Sequence, residues 1–246
     1  MSDFKTLKGL YIKHVSSDPP SPIHGQIWYN SVNRAIKGAI TIEAWASGGN
    51  MAETRRNHAG AGIQTAGLAM GGFAGSPPTN LAHSEEYDGS SWTEGNNLNT
   101  ARRGPEGFGT QTAGVCVSGF PPPGSLTEEY NGSSWTAGNA SNTSRLNKHG
   151  TAGTLTAGLA FSGSESQNCE TYDGTNWTEV GNLTTTAVGN SDGTGTQTAA
   201  ICTGGNNPAP GLVVATEEWD GSSWTAGGNL ITGVEGHGTF GLQTSA

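Results

Sequence analysis

Four segments of this chain align with one another without a gap, and that repetition limits the possible folds more than any single motif does. They are SEEYDGSSWTEGNN (84–97), TEEYNGSSWTAGNA (127–140), CETYDGTNWTEVGN (169–182) and TEEWDGSSWTAGGN (216–229). A fifth tail, WASGGNMAETRR (45–56), matches WTEGNNLNTARR (92–103) but lacks the acidic-aromatic half before it. Four copies of a second motif alternate with the first: AGIQTAGLAMGGF (61–73), FGTQTAGVCVSGF (108–120), AGTLTAGLAFSGS (152–164) and TGTQTAAICTGGN (194–206). A shorter copy, FGLQTSA, spans 240–246. Trp45, Trp92, Trp135, Trp177 and Trp224 mark a period of 42 to 47 residues. A fixed period of this size means units that cannot bury their own apolar faces and must stack on their neighbours.

Each unit reads as β-strands. The second motif alternates small and apolar residues and ends at Gly-Gly or Ser-Gly, as a buried strand entering a turn does. In the first motif Asp88-Gly89, Asn131-Gly132, Asp173-Gly174 and Asp220-Gly221 stand between an aromatic residue and a Trp. Asx-Gly is a hairpin signal because both residues tolerate the left-handed conformation. Tyr87, Tyr130, Tyr172 and Trp219 are thereby expected on strands paired with Trp92, Trp135, Trp177 and Trp224, their rings buried together as a repeated core with Trp45. The chain has 40 Gly and only 13% charged residues, which suits many tight turns and no long amphipathic helix. The expected class is all-β, a small β-propeller.

A glycine pair after an apolar strand (Gly71-Gly72, Gly204-Gly205), then Tyr or Trp, then Trp, resembles the kelch repeat over residues 45–246. Ser118-Gly119 and Ser162-Gly163 depart from the glycine pair. The wording SSWTAGGN with TQTAG resembles the divergent kelch-like repeats of marine bacteriophage virion and tail proteins. The resemblance implies a virion structural protein (tail, fibre, spike or decoration component), made in the host cytoplasm and carried in the particle. Its implied partners are other virion proteins, a further copy of itself, or a host surface glycan.

Five Trp tails suggest five blades, one completed by strands from both termini, with four as the alternative. Residues 1–44 would then supply GLYIKHV (9–15), GQIWYN (25–30) and RAIKGAI (34–40), the last two a hairpin across Ser31, Val32 and Asn33. The other reading makes the segment a docking arm with a proline-stiffened spacer at Asp18-Pro19-Pro20.

Length variation separates scaffold from candidate site. From each Trp to the following Gln-Thr position the spacing is 19, 19, 20, 20 and 19 residues; from there to the next Trp it is 28, 24, 22 and 27. The variable connections, 72–83, 119–127, 162–168 and 204–216, are expected at one end of the module, where loops on a fixed scaffold carry binding. Phe73, Pro77, Phe120, Pro122, Asn206 and Asn207 are the candidate partner or glycan contacts.

No catalytic constellation is expected. Arg55, Arg102 and Arg145 recur at one position, replaced by Val188 and Val234, and suggest surface pairing with Glu85, Glu86, Glu128 or Glu129. Cys116 and Cys202 take the place of Ala69 and Ala160, and Cys169 that of Ser84, Thr127 and Thr216, so all three read as packing residues. The six His show no metal-ligand spacing, and no cofactor is expected. A net charge of −9 offers no basic footprint for nucleic acid, and no stretch is apolar enough for membrane insertion. The alternatives are a free carbohydrate-binding lectin and, third, a propeller glycosidase, which lacks an evident acid/base pair and has only six Arg for a carboxylate-binding triad.

Overall fold

A computed structural model describes residues 13–19, 27–38, 47–75, 79–164, 166–185, 189–207 and 211–245. Two compact units divide the chain, residues 1–47 and residues 48–246.

In the first unit three strands, Lys13–Val15, Ile27–Asn30 and Ala35–Gly38, pair with one another. The first two run parallel and the last two form the antiparallel hairpin expected across Ser31, Val32 and Asn33. Asp18 pins this sheet: its carboxylate accepts from Trp28 Nε1 at 3.0 Å, Asn30 Nδ2 at 2.8 Å and Lys37 Nζ at 2.6 Å. Those donors, led by Lys37, hold its pKa down at about 2. Asp18 is therefore an anchor within the unit.

The second unit holds four four-stranded sheets, each antiparallel and paired in chain order. The first blade comprises Ala59–Ile63, Ala66–Met70, Ser84–Tyr87 and Trp92–Glu94. The second comprises Glu106–Thr110, Ala113–Val117, Thr127–Tyr130 and Trp135–Ala137. Gly150–Thr154, Ala157–Phe161, Cys169–Tyr172 and Trp177–Val180 make the third. The fourth contains Asp192–Thr196, Ala199–Thr203, Thr216–Trp219 and Trp224–Ala226. A fifth blade built from both termini is not among the described residues. Among the described residues the three amino-terminal strands pair with one another, Trp45 lies outside the described residues, and Gln243–Ser245 forms a 3-10 turn.

The hairpins form as expected and by a slightly different mechanism. Tyr87 faces Trp92, Tyr130 faces Trp135, Tyr172 faces Trp177 and Trp219 faces Trp224, with ring centroids 4.7 to 5.3 Å apart. Only the glycine of each Asx-Gly takes a positive φ, as at Gly89 (95°). The Asx residue works through its side chain: Asp88 Oδ1 accepts from the amides of Ser90 and Ser91, both at 2.8 Å, and Asn131, Asp173 and Asp220 repeat the pattern.

The core lies between blades. Leu68 and Met70 of the first blade pack with Cys116, Tyr130 and Trp135 of the second. Phe108, Val115 and Val117 meet Tyr172 and Trp177 of the third. Phe161 and Cys169 meet Cys202, Trp219 and Trp224 of the fourth. Glycine permits the approach: a Cβ on Gly158 would come within 2.3 Å of Phe108, and one on Gly193 within 2.3 Å of Phe161. Gln111 adds a latch, its Nε2 donating to Gly67 O at 2.9 Å and Tyr87 O at 2.8 Å; Gln197 does the same to Gly158 and Tyr172. Gln243 reaches Trp219 O at 3.1 Å.

The polar tips of the aromatic residues are satisfied across these interfaces. Trp135 Nε1 donates to Ser84 Oγ at 3.3 Å and Trp177 Nε1 to Thr127 Oγ1 at 3.0 Å. Tyr130 OH donates to Glu86 and Tyr172 OH to Glu129. Between the third and fourth blades the pattern changes as a set. Thr171 replaces the acceptor glutamate, and Trp219 replaces the tyrosine and donates to Gln197 O at 2.8 Å. Cys169 replaces the hydroxyl, and buried Trp224 Nε1 is left facing a thiol, a poorer acceptor than its counterparts have. All three Cys are buried and free; Cys116 and Cys202 fill strand sites as anticipated.

The recurring arginines are a correction. Arg55 pairs with Glu85, Arg102 with Glu128 and Arg145 with Glu170, and every one of these side chains is buried. The pairing was expected at the surface. Burial is tolerated where the partners are well engaged, as in the third pair: Arg145 also donates to Ser162 O and Asn168 O, both at 2.9 Å, while Glu170 accepts the amides of Asn142 at 2.7 Å and Thr143 at 2.9 Å. Glu217 of the fourth blade caps Thr184 and Thr185 in the same way; the aligned Val188 lies outside the described residues.

Two stability changes follow. Arg145→Ala strands a buried carboxylate and is expected to cost about 3–5 kcal/mol in urea unfolding. Cys169→Ser gives Trp224 Nε1 the acceptor its counterparts have and is expected to add about 1 kcal/mol. A cost for Cys169→Ser similar to that of a cavity mutant would refute the alignment of roles.

Candidate functional site

The variable connections gather where the second strand of each blade ends and the first begins. Phe73, Phe120 and Asn206 occupy one repeat position, and each bridges back to the residue leading into its blade: Arg56, Arg103 and Gly189. The bridges are two-way, as between Phe120 N and Arg103 O at 2.8 Å and Arg103 N and Phe120 O at 3.0 Å. Loop tip and blade entrance thus form one surface. The sequence-predicted contacts divide on it. Phe73, Phe120, Asn206 and Asn207 are half-buried, Pro122 is exposed, and Pro77 lies outside the described residues.

The phenyl rings are engaged by cations that the sequence reading passed over. The Arg56 guanidinium lies 4.4 Å from the Phe73 centroid, and Arg103 lies 5.7 Å from Phe73 and 4.2 Å from Phe120. Arg56, Phe73, Arg103 and Phe120 form a ladder across the first two blades. Its sequence signal is the doublets Arg55-Arg56 and Arg102-Arg103, in which the first residue is a buried staple and the second faces outward or half outward. Asn80 joins the ladder through Nδ2 to Phe120 O at 3.3 Å.

Beside the ladder opens a cavity of about 290 Å³. Every blade contributes to it from the turn before its first strand, including Asn57, Pro105, Lys148 and Asn190; Glu106, which opens a strand, and Glu235 from the later segment complete the lining named here. The backbone is constant here and the side chains are not: Ala59, Glu106, Gly150 and Asp192 stand at the same strand-opening position. Glu106 is buried, and desolvation pushes its pKa well above the ordinary value; attraction to Lys148 opposes this and Asp192 adds to it. Lys148 Nζ pairs with Asp192 at 3.0 Å and donates to His237 O. Asp192 also accepts the amides of Gly193 at 2.7 Å and Thr239 at 3.1 Å.

Three histidines border this region, all with pKa values lowered chiefly by burial, His149 to about 3. They are neutral at physiological pH. Among the described residues no group of three or more His, Cys, Asp or Glu could hold a metal ion. Burial pushes the thiols of Cys116 and Cys169 up to about 12 and that of Cys202 higher still, so none is a nucleophile at neutral pH. The surface offers fixed hydrogen-bond donors, a buried carboxyl whose pKa is raised by desolvation, one ion pair and two cation-covered aromatic rings. That is chemistry for holding a polar ligand.

Glu106 gives a pH test. Folded chains bind its proton above the ordinary 4.5, where unfolded chains release it, so its burial lowers stability as pH rises from about 4.5 through the folded pKa. Glu106→Gln is expected to match the parent below that range and to exceed it increasingly toward neutrality, read as urea midpoints. A pH-independent difference would show that the carboxyl is not held protonated.

No protein-family model and no curated protein matches the chain. Among solved structures it is similar to the one titled "Structure of YjhT", with a TM-score of 0.63 and 10% identity, over 75% of this chain and 73% of that one. At that identity the likeness speaks to the fold alone: the chain is all-β, built of propeller-type blades.

Proposed function

We propose that this chain is a non-enzymatic bacteriophage virion component, of a tail, fibre, spike or decoration, whose loop-bearing end contacts a neighbouring subunit or a host surface glycan. The observation that carries the recognition half of this reading is the confluence of length-variable loops, the Arg56–Phe73–Arg103–Phe120 ladder and a polar cavity on a rigid repeat scaffold. Guanidinium groups bind carboxylates bidentately, and the amides of Asn57 and Asn190 suit hydroxyls, so a hydroxyl-rich, carboxylate-bearing glycan matches this end. The virion assignment rests on the resemblance of the SSWTAGGN and TQTAG wording to phage particle proteins.

One observation favours a second reading, a propeller glycosidase. Glu106, held protonated, stands at the same cavity as the Lys148–Asp192 ion pair, and glycoside cleavage uses one protonated and one ionised carboxyl. Asp192 is fully engaged by Lys148 and two amides, which suits a structural role better than a nucleophile or base.

Mass spectrometry of purified particles tests the virion assignment; absence from every preparation sinks it. A glycan array tests recognition: Arg103→Ala is expected to weaken any bound glycan about tenfold, the loss of one charge-assisted hydrogen bond. Release of reducing sugar by the parent chain, abolished in Glu106→Gln, would replace the binding reading with the enzymatic one.

A further inference from the structure

One buried carboxyl at the loop-end cavity goes unanswered by the chain itself. Among the described residues five glutamates are buried: Glu85, Glu106, Glu128, Glu170 and Glu217. Glu85, Glu128 and Glu170 each receive an arginine and two backbone amides, and Glu217 receives the amides of Thr184 and Thr185. Glu106 is only 9% exposed, and its carboxyl is hydrogen-bonded or ion-paired to no described group. It lines the cavity of about 290 Å³. Desolvation raises its pKa, and the attraction of Lys148 does not offset this.

The other cavity-lining groups that could carry positive charge do not pair with it. Lys148 Nζ is held by Asp192 at 3.0 Å and by His237 O. The Arg103 guanidinium lies 4.2 Å from the Phe120 centroid and reaches Asn80 Oδ1 at 3.4 Å. Burial lowers the pKa of His58, and its buried Nδ1 has no partner. The rim around these groups is preset. Asn57 and Asn190 hold left-handed φ values of 49° and 52°, at the repeat position taken by Gly104 and Gly236. Gly104 N donates to Asn57 O at 2.8 Å and Gly236 N to Asn190 O at 3.0 Å, so the turns are tied in pairs. Asparagine tolerates this conformation and brings a side-chain amide where glycine brings none.

We propose that this cavity takes an amino sugar with a free amine, its ammonium donating to Glu106 and its ring hydroxyls meeting the amides of Asn57 and Asn190. The inference rests on the glycan-binding reading above and narrows it. A buried carboxyl without a partner calls for donors, and an ammonium supplies three, with the charge that arginine supplies to Glu85, Glu128 and Glu170. Any proton that Glu106 carries passes to solvent on pairing, and the ammonium keeps its own. At about 290 Å³ the cavity sits near the lower end of small-ligand pockets, ~300 Å³, which suits a single sugar ring.

The test titrates glucosamine, glucose and N-acetylglucosamine into the full-length protein, in a slightly acidic buffer that keeps the amine charged, and follows backbone amide shifts by NMR. Glucosamine is expected to shift Asn57, Gly104 and Glu106 and to saturate at about tenfold lower concentration than the other two, one charge-assisted hydrogen bond's worth. Glu106→Gln is expected to erase that preference. Equal affinity for the three sugars, or a preference that survives Glu106→Gln, would overturn the proposal and leave the recognition reading standing. Binding of n-butylamine as tight as that of glucosamine would overturn it by giving the cavity to a lone cationic side chain. No shift with any of the sugars would overturn it as well; glycan-array hits without a free amine would then leave the recognition reading intact, and an empty array would remove both.

Discussion

The interaction on which the second unit depends is a Tyr–Trp hairpin laid against the preceding blade. An indole or phenol in an apolar interface brings a large buried area but also an N–H or O–H that is costly to leave unpaired. The first two interfaces meet both demands at once. The rings fill the space over Leu68 and Met70 or Val115 and Val117, and the polar tips end on a hydroxyl and a glutamate placed two residues apart on one strand. Alternation of side chains along a strand puts those two acceptors on the same face. The glutamate between them faces the other way and is free for a different task.

That task is the stapling of loops. Glu85, Glu128, Glu170 and Glu217 each accept two successive backbone amides from the connection that leads into their blade, and three of them hold an arginine as well. A 4-residue run such as Thr-Glu-Glu-Tyr therefore divides its labour by parity. Buried ion pairs of this kind contribute less to net stability than their geometry suggests, since desolvation offsets most of the attraction. Their value here is in fixing where each connection runs, and so where the cavity-lining turns begin.

Constant scaffold and variable end follow from the same division. The staples hold the turns before each first strand in register, while the side chains at the opening position differ in every blade. Glu106 lines the cavity, whereas at Gly150 a Cβ would meet the Phe161 ring at 2.0 Å, so the position answers to different neighbours in different blades. Repetition thus hides the site: an alignment of the units highlights the residues that recur, and the residues that face the cavity are those that do not. The cation–π ladder was hidden for a related reason, the staple arginine drawing attention from the arginine beside it.

By itself the sequence determined that this chain is all-β and built of repeated β units, that Tyr and Trp pair across an Asx-Gly hairpin, and which residues are packing cysteines; the four strands of each unit came from the structure. Periodicity, alternation and turn chemistry are local, and local physics settles them. Tertiary structure alone decided that the recurring arginines are buried, that Cys169 stands where an indole wants a hydroxyl, and that Glu106, Lys148 and Asp192 meet. It also decided that the described amino-terminal strands pair with one another, the first two in parallel. Those outcomes depend on which group some 25 to 50 residues away occupies the space opposite, and no reading of one strand at a time contains that information.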